Sequence, residues 1–195
     1  MTLSKGTEAP ARPRRVLVVG GSGMLAGFCR SLAHSGSSIF VLCRNSTKFK
    51  RNFVDMSVTV VQPIYTDYRD HLRLAANLTE HCATDAEFDD IIGWVHEEQS
   101  QDTPFILARF ARRRYLAVLG SSADIPGNSS DFEGRMHAVN PELRISYAVL
   151  GFVKSRRAKA RWLTDQEISE GVKDAYFSNR NVTVVGQVEP WSDRP

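Results

Sequence analysis

Cysteine is scarce in this 195-residue sequence: three residues, Cys29, Cys43 and Cys82, with no Cys-x-x-Cys spacing. An odd, unpaired set excludes a disulfide framework and a zinc ribbon, and reads as free thiols in a reducing compartment. Long apolar runs are missing as well; none approaches the ~20 residues a membrane span requires, so no integral membrane segment is expected. Charge of one sign is nearly balanced, Lys+Arg 25 against Asp+Glu 22, and a net +3 is too small to imply a nucleic-acid partner. His34, His71, His81 and His137 show no paired spacing, so no metal centre is expected. The stretch Met1 to Arg15 carries Lys5, Arg12, Arg14 and Arg15 but no apolar centre, which is unlike a secretory signal. A cytoplasmic protein is expected, and the Asn-x-Ser/Thr triplets, such as Asn45-Ser46-Thr47, are read as chance.

What is present is ordinary globular composition, 42% hydrophobic and 24% charged. A domain of this length buries roughly 70% of its unfolded surface and needs neither disulfide nor metal to stay folded. Residues 1–14, with Gly6, Pro10 and Pro13, read as a flexible tail, and residues 15–195 as one domain. Short β-branched apolar runs predict strands at Val16–Val19, Ser38–Cys43, Val58–Val61, Asp90–His96 and Tyr115–Gly120. Helical spacing predicts helices over Met24–His34, Thr47–Val54, Tyr68–Cys82 and Thr103–Arg113 between them. Arg112-Arg113-Arg114 would close the last of these, where cations complement the dipole. Ser121–Glu142, rich in Gly and Pro, reads mainly as loop or short irregular helix. Further strands are expected within Leu143–Val153 and Asn181–Val188, with a helix opened by a Thr164/Glu167 capping box between them. The basic run Lys154, Arg156, Arg157, Lys159 and Arg161 lacks interleaved aromatics and reads as a solvated loop rather than a nucleic-acid surface. Trp162 and Trp191 are expected to anchor the C-terminal segment. The alternation predicts a doubly wound α/β Rossmann fold, with a mainly parallel sheet of about seven strands flanked by helices.

The informative segment is Val16-Leu17-Val18-Val19-Gly20-Gly21-Ser22-Gly23-Met24-Leu25, a buried strand, a glycine turn and an opening helix. Glycine lets the chain turn tightly and leaves room for a pyrophosphate, which helix amides and the helix dipole then hold. Strand before, helix after and further βα units supply the context that a bare glycine trio lacks. The segment resembles the extended and atypical short-chain dehydrogenase/reductase family, whose Gly-x-x-Gly-x-x-Gly/Ala positions are here Gly20, Gly23 and Ala26. A narrower likeness, through Val19 to Leu25, Arg161-Trp162-Leu163-Thr164 and Glu189-Pro190-Trp191, is to small bacterial proteins of that family and spans nearly the whole chain.

That resemblance implies a nicotinamide dinucleotide held by Gly20, Ser22, Gly23, Met24 and Leu25. A carboxylate at the end of the second strand would hold the ribose diol of NAD. This chain has Cys43-Arg44-Asn45 there, and Arg44 offers a planar fork to a 2′-phosphate. NADP(H) is therefore the expected cofactor, through Arg44 with help from Ser22 and Asn45, the alternative being a solvated loop arginine. Asp67 matches the family aspartate that contacts adenine, and Tyr68 would flank the ring; Asp67 could equally cap the next helix.

The family's proton donor is a tyrosine with a lysine four residues later, and the pair is absent: none of Tyr65, Tyr68, Tyr115, Tyr147 or Tyr176 has that lysine. The substrate-holding serine is matched by Ser121 or Ser122. His96, ending a strand at the carboxyl edge, becomes the first candidate acid, with Glu97 and Glu98 placed to raise its pKa. The alternative is a histidine bonded to its loop. Tyr147 and Lys154 are weaker candidates, Tyr147 because it sits within an apolar strand pattern. The expected activity is hydride transfer from NADPH to a small carbonyl or imine without the Tyr-Lys pair. The alternative is a non-catalytic NADP(H)-binding sensor or partner-binding protein. The family commonly forms dimers or tetramers, and for this chain the oligomeric state stays open.

Overall fold

A computed structural model describes residues 12–84, 87–96, 101–121, 130–155, 158–178 and 180–195. The chain runs β1 (Arg15–Val19), α1 (Ala26–His34), β2 (Ser38–Cys43), α2 (Ser46–Phe53), β3 (Val61–Tyr65), α3 (His71–Thr84), β4 (Phe88–Trp94) and α4 (Thr103–Ala108). It continues with β5 (Ala111–Leu119), α5 (Ser130–Val139), β6 (Arg144–Leu150), β7 (Phe152–Ser155), β8 (Ala158–Trp162), α6 (Asp165–Phe177) and β9 (Val182–Val185). Seven strands form one parallel sheet in the order β3-β2-β1-β4-β5-β6-β9. This is the doubly wound Rossmann arrangement expected from the alternation.

Both faces of the sheet are covered, which is why its strands read as unbroken apolar runs. On one face Val16, Val18, Ile39 and Val41 pack beneath α1, α2 and α6 through Phe28, Leu32, Phe49 and Val172. On the other, Leu17, Val19, Phe40, Ile91 and Tyr115 meet Leu74, Leu78, Leu107 and Met136 of α3, α4 and α5. The capping box at Thr164 forms as its spacing predicts: Glu167 N–H donates to Thr164 Oγ1, and Glu167 Oε2 accepts from Thr164 N at 2.9 Å.

Several elements depart from expectation. The third strand is Val61–Tyr65, and residues 58–60 are turn; β-branched propensity misplaced it, because its register is set by pairing with β2. Pro63 is tolerated there because β3 is an edge strand. The helix expected to Arg113 ends at Ala108, and Arg112, Arg113 and Arg114 lie in β5. Ser121–Glu142, expected mostly as loop, contains the ten-residue α5. Of the basic run, Lys154, Lys159 and Arg161 lie not in a loop but in the antiparallel strands β7 and β8. Within it Lys154 pairs with Asp193, and Arg161 makes a bidentate pair with Glu167 at 2.8 Å; Arg156 and Arg157 lie outside the described residues. Trp162 and Trp191 do not anchor the C-terminal segment in the core, since both are about half exposed. Of the expected tail, 1–11 lie outside the described residues, while Arg12 and Arg14 are fixed by ion pairs to Asp89 and Asp90.

Candidate dinucleotide site

The strand order reverses between β1 and β4, so the crevice at their carboxyl ends is the topological switch point where open α/β sheets bind ligands. Along that edge the structure brings the predicted residues together in strand order. Asp67 follows β3, Arg44 follows β2 and Gly20 follows β1, while Trp94 and His96 leave β4 and Ser121 leaves β5.

Gly20 has φ +83°, a left-handed conformation that only glycine adopts without cost. Its carbonyl accepts from Gly23 N at 3.0 Å, and Gly23 O accepts from Ala26 N at 3.0 Å, closing two successive turns into α1. Among the described residues no side chain caps α1, no acidic residue stands in its first turn, and the amides of Ser22, Met24 and Leu25 meet no acceptor. An uncapped helix start with free amides is the group of donors a pyrophosphate requires, so the residues present fit a dinucleotide. Leu25 contributes through its backbone alone, its side chain being wholly buried. The turn is braced from outside: Asn52 Nδ2 donates to Ser22 O at 2.9 Å, and Ser169 Oγ donates to Met24 O at 2.8 Å.

Sequence reasoning missed Lys48. Its Nζ lies 3.0 Å from where a side chain on Gly23 would begin, placing a cation over the phosphate turn. The signal was present but long-range: Asn45 caps α2, its Oδ1 accepting from Lys48 N at 2.9 Å, and adjacency of β1 and β2 then lays the first turn of α2 across the glycines. Asn45 therefore has a structural task beside its expected one. Arg44 is more than half exposed and lies 3.5 Å from Asp67 Oδ2. Asp67 is gripped by Arg69, whose Nη2 is 2.6 Å from Oδ2. This hydrogen bond and the nearby Arg44 charge hold the Asp67 carboxyl well below the usual range. An adenine contact there has to share an engaged carboxylate. The cap of α3 is not Asp67 but Asp70, whose Oδ1 accepts from Arg73 N at 3.1 Å. Tyr68 packs against the apolar layer of α3 and α4, and its carbonyl accepts from Thr103 Oγ1 at 2.9 Å.

At the substrate end, His96 is exposed, with its ring edge-on to Trp94 at 5.2 Å between centroids. Trp94 spans the crevice, its Cβ 3.2 Å from where a side chain on Gly20 would begin. Ser121 is partly buried, and its carbonyl accepts from Arg194; Ser122, Glu97 and Glu98 lie outside the described residues. Tyr147 is not at this edge. It pairs with Ala117 in mid-sheet, is buried beneath α5, and donates to Glu133 Oε1 at 2.8 Å. Burial and that carboxylate push its hydroxyl above the usual tyrosine range. His96 and Ser121 thus leave neighbouring strands at one edge, and Tyr147 stands apart from them.

A cavity of about 250 Å³ opens one strand beyond the crevice, lined by Gly93, Val95, Phe105, Leu119 and Phe132, with Arg135 at its rim. Gly93 and Tyr115 both line it, and the hydroxyl of buried Tyr115 lies 2.2 Å from where a Cβ on Gly93 would be, so only glycine lets this ring cross β4. Burial alone raises the pKa of that hydroxyl. A larger groove, about 460 Å³, runs along the outer side of the turn between α1, α2 and α6. Cys29, Cys43 and Cys82 form no disulfide, and among the described residues no cluster of His, Cys, Asp and Glu is placed to hold a metal. Among these residues, too, no helix is long and apolar enough to cross a membrane.

Solved structures with this architecture are numerous. A gluconate 5-dehydrogenase from Burkholderia cenocepacia, in complex with NADP and tartrate, superposes with a TM-score of 0.64 at 16% identity, over 89% of this chain and 93% of its own. The fold is that of the short-chain dehydrogenase/reductases. A glucose/ribitol dehydrogenase-type member from Brucella melitensis gives 0.65 at 10% identity over 91% and 97%. A metagenomic short-chain oxidoreductase in complex with NADP gives 0.60 at 15% identity over 90% and 99%. No protein-family model and no curated protein matches the sequence.

Proposed function

We propose that the protein is an NADPH-dependent oxidoreductase that reduces a small carbonyl or imine without a Tyr-x-x-x-Lys pair. The observation that carries this reading is the Gly20–Gly23 turn, with its positive φ and its uncapped amides, standing at the switch point beside Arg44. Two of the solved structures with this fold are complexes with NADP, which agrees with it. A nicotinamide dinucleotide bound there would supply hydride.

The chain's own residues divide the remaining work. The amides of Ser22, Met24 and Leu25 hold the pyrophosphate, with Lys48 above them, and Arg44 binds the 2′-phosphate through charge-assisted hydrogen bonds. His96 is the candidate proton donor, and Ser121 orients the substrate's polar atom. The cavity between β4, β5, α4 and α5 takes the apolar part of the substrate, and Arg135 a polar group at its rim. An imine suits a site without the Tyr-Lys acid, because its nitrogen accepts a proton readily. The test is NADPH oxidation across a carbonyl and imine panel, with wild type and His96→Ala compared. Turnover that falls at least tenfold in His96→Ala supports the reading, and no turnover on any substrate at any pH overturns it.

A second reading has its own observation. Trp94 packs across the crevice against Gly20, where a bulky ring can close the nicotinamide end. That favours a non-catalytic NADP(H)-binding sensor, for which NADPH binds without turnover and changes the capture of a partner.

A further inference from the structure

At the opposite edge of the sheet lies a second charged recess that the oxidoreductase reading does not use. Arg14 before β1, Asp90 in β4, Arg113 and Arg114 in β5 and Arg144 opening β6 converge there, and the C-terminus of α6 adds Tyr176, Phe177 and Ser178. Together they enclose about 240 Å³. Its floor is rigid. Asp90, 2% exposed, accepts from Tyr176 Oη at 2.6 Å and lies 3.4 Å from Arg14 Nε and 3.8 Å from Arg114 Nε. The Arg114 guanidinium lies 4.1 Å from the centre of the Tyr176 ring and donates to Tyr176 O at 2.7 Å.

The described residues that line this recess carry more guanidinium groups than carboxylates. Asp90 is the only carboxylate among the described residues lining it, against four guanidinium groups. The carboxyl end of α6 contributes only about half a negative charge. Arg14, Arg114 and Tyr176 already surround Asp90, and Arg113 brings a further cation to the mouth, where Arg144 also lines the recess. Arg113 is exposed and makes no ion pair or side-chain hydrogen bond among the described residues, leaving its planar fork of five donors open. Beside it stands Phe177, 59% exposed, an unusual place for a large apolar ring.

We propose that this recess binds a multivalent oxyanion: the phosphate of a small phosphorylated molecule. Arg113 and Arg144 clamp it at the mouth above the Arg14–Asp90–Arg114 floor, and Phe177 covers the group attached to it. Arginine forks match phosphate oxygens in pairs, which makes the cluster selective for phosphate over a monovalent anion. Lying at the amino ends of the strands, the site is separate from the glycine turn at their carboxyl ends.

The test is isothermal titration of the full chain with pyrophosphate at constant ionic strength. It is repeated on the exposed double variant Arg113→Gln/Arg144→Gln and in the presence of NADPH. Saturable binding is expected that weakens at least tenfold in the double variant and persists with NADPH present. No saturable binding, undiminished affinity in the double variant, or displacement by NADPH would each overturn the proposal. The double-variant comparison reads out whether or not NADPH binds.

Discussion

Gly20→Ala is the substitution whose consequences the structure fixes most fully. At φ +83° an alanine sits in the left-handed region, at a cost of about 1–2 kcal/mol. Its Cβ also arrives 3.2 Å from Trp94 Cβ and 3.3 Å from Cδ1, so the indole must yield by a few tenths of an ångström. For a domain of this size that predicts a Tm lowered by about 2–8 °C. Binding suffers more than folding. Relaxing φ re-aims the Gly20 carbonyl that accepts from Gly23 N and tilts the free amides of Ser22, Met24 and Leu25, so NADPH affinity is expected to fall at least tenfold. Gly36→Ala is the control, because Gly36 has φ +85° but open space where the Cβ would go. It carries the same backbone cost with no contact, and its own turn closes the C-terminus of α1, away from the glycine cradle. Calorimetric melting and fluorescence titration on both variants decide the matter. If Gly20→Ala binds NADPH as wild type does, or if Gly36→Ala weakens binding equally, the phosphate-cradle reasoning is refuted.

Arg44→Ala should weaken NADPH about ten- to hundredfold while leaving NADH unchanged, since it removes charge-assisted bonds worth about 1.5–3 kcal/mol; an unchanged NADPH/NADH ratio in parallel titrations contradicts the 2′-phosphate role. Burial, with the hydrogen bond to Asp90, pushes the Tyr176 hydroxyl up to about 12, so the folded state keeps its proton where the unfolded chain has lost it. The stability it confers is complete below pH 10 and lost between about pH 10 and 12. Urea unfolding of Tyr176→Phe should show a lower stability at pH 7 by about 1.5–3 kcal/mol and a shallower decline above pH 10 than wild type; parallel curves would sink that assignment. Gly93→Ala should cost about 1–3 kcal/mol by overpacking, and less in a Tyr115→Phe background, where the hydroxyl 2.2 Å from the new Cβ is gone. Strict additivity in a double-mutant cycle would mean the clash is relieved elsewhere.

How far the chain could be read without its coordinates depended on how local each signal was. Ser38–Cys43 and the Thr164 cap were legible because an unbroken apolar run and a capping box need no distant partner. Arg112, Arg113 and Arg114 misled, since three cations after a short apolar helix look like a helix end. They belong to a strand, and two of them, Arg112 and Arg114, pair with Asp89 and Asp90, more than 20 residues earlier in the chain. Those two carboxylates, buried in a strand, carried no local mark at all. Gly134 hid α5 by lowering its apparent propensity, although it lies in open space and costs the helix little room. At the site, Gly20 and Arg44 were visible from motif and spacing. Lys48 and the placement of Trp94 against Gly20 were not, because each follows from strand order rather than from neighbouring residues. Tyr147 needed its register opposite Ala117 before its place beneath α5 could be known.

The central claim is that the switch-point turn holds NADP(H), and fluorescence titration of the full chain with NADPH and NADH in parallel tests it most directly. Saturable binding that prefers NADPH by at least tenfold is the predicted result. If neither nucleotide binds, the turn serves the fold alone and the oxidoreductase reading is contradicted.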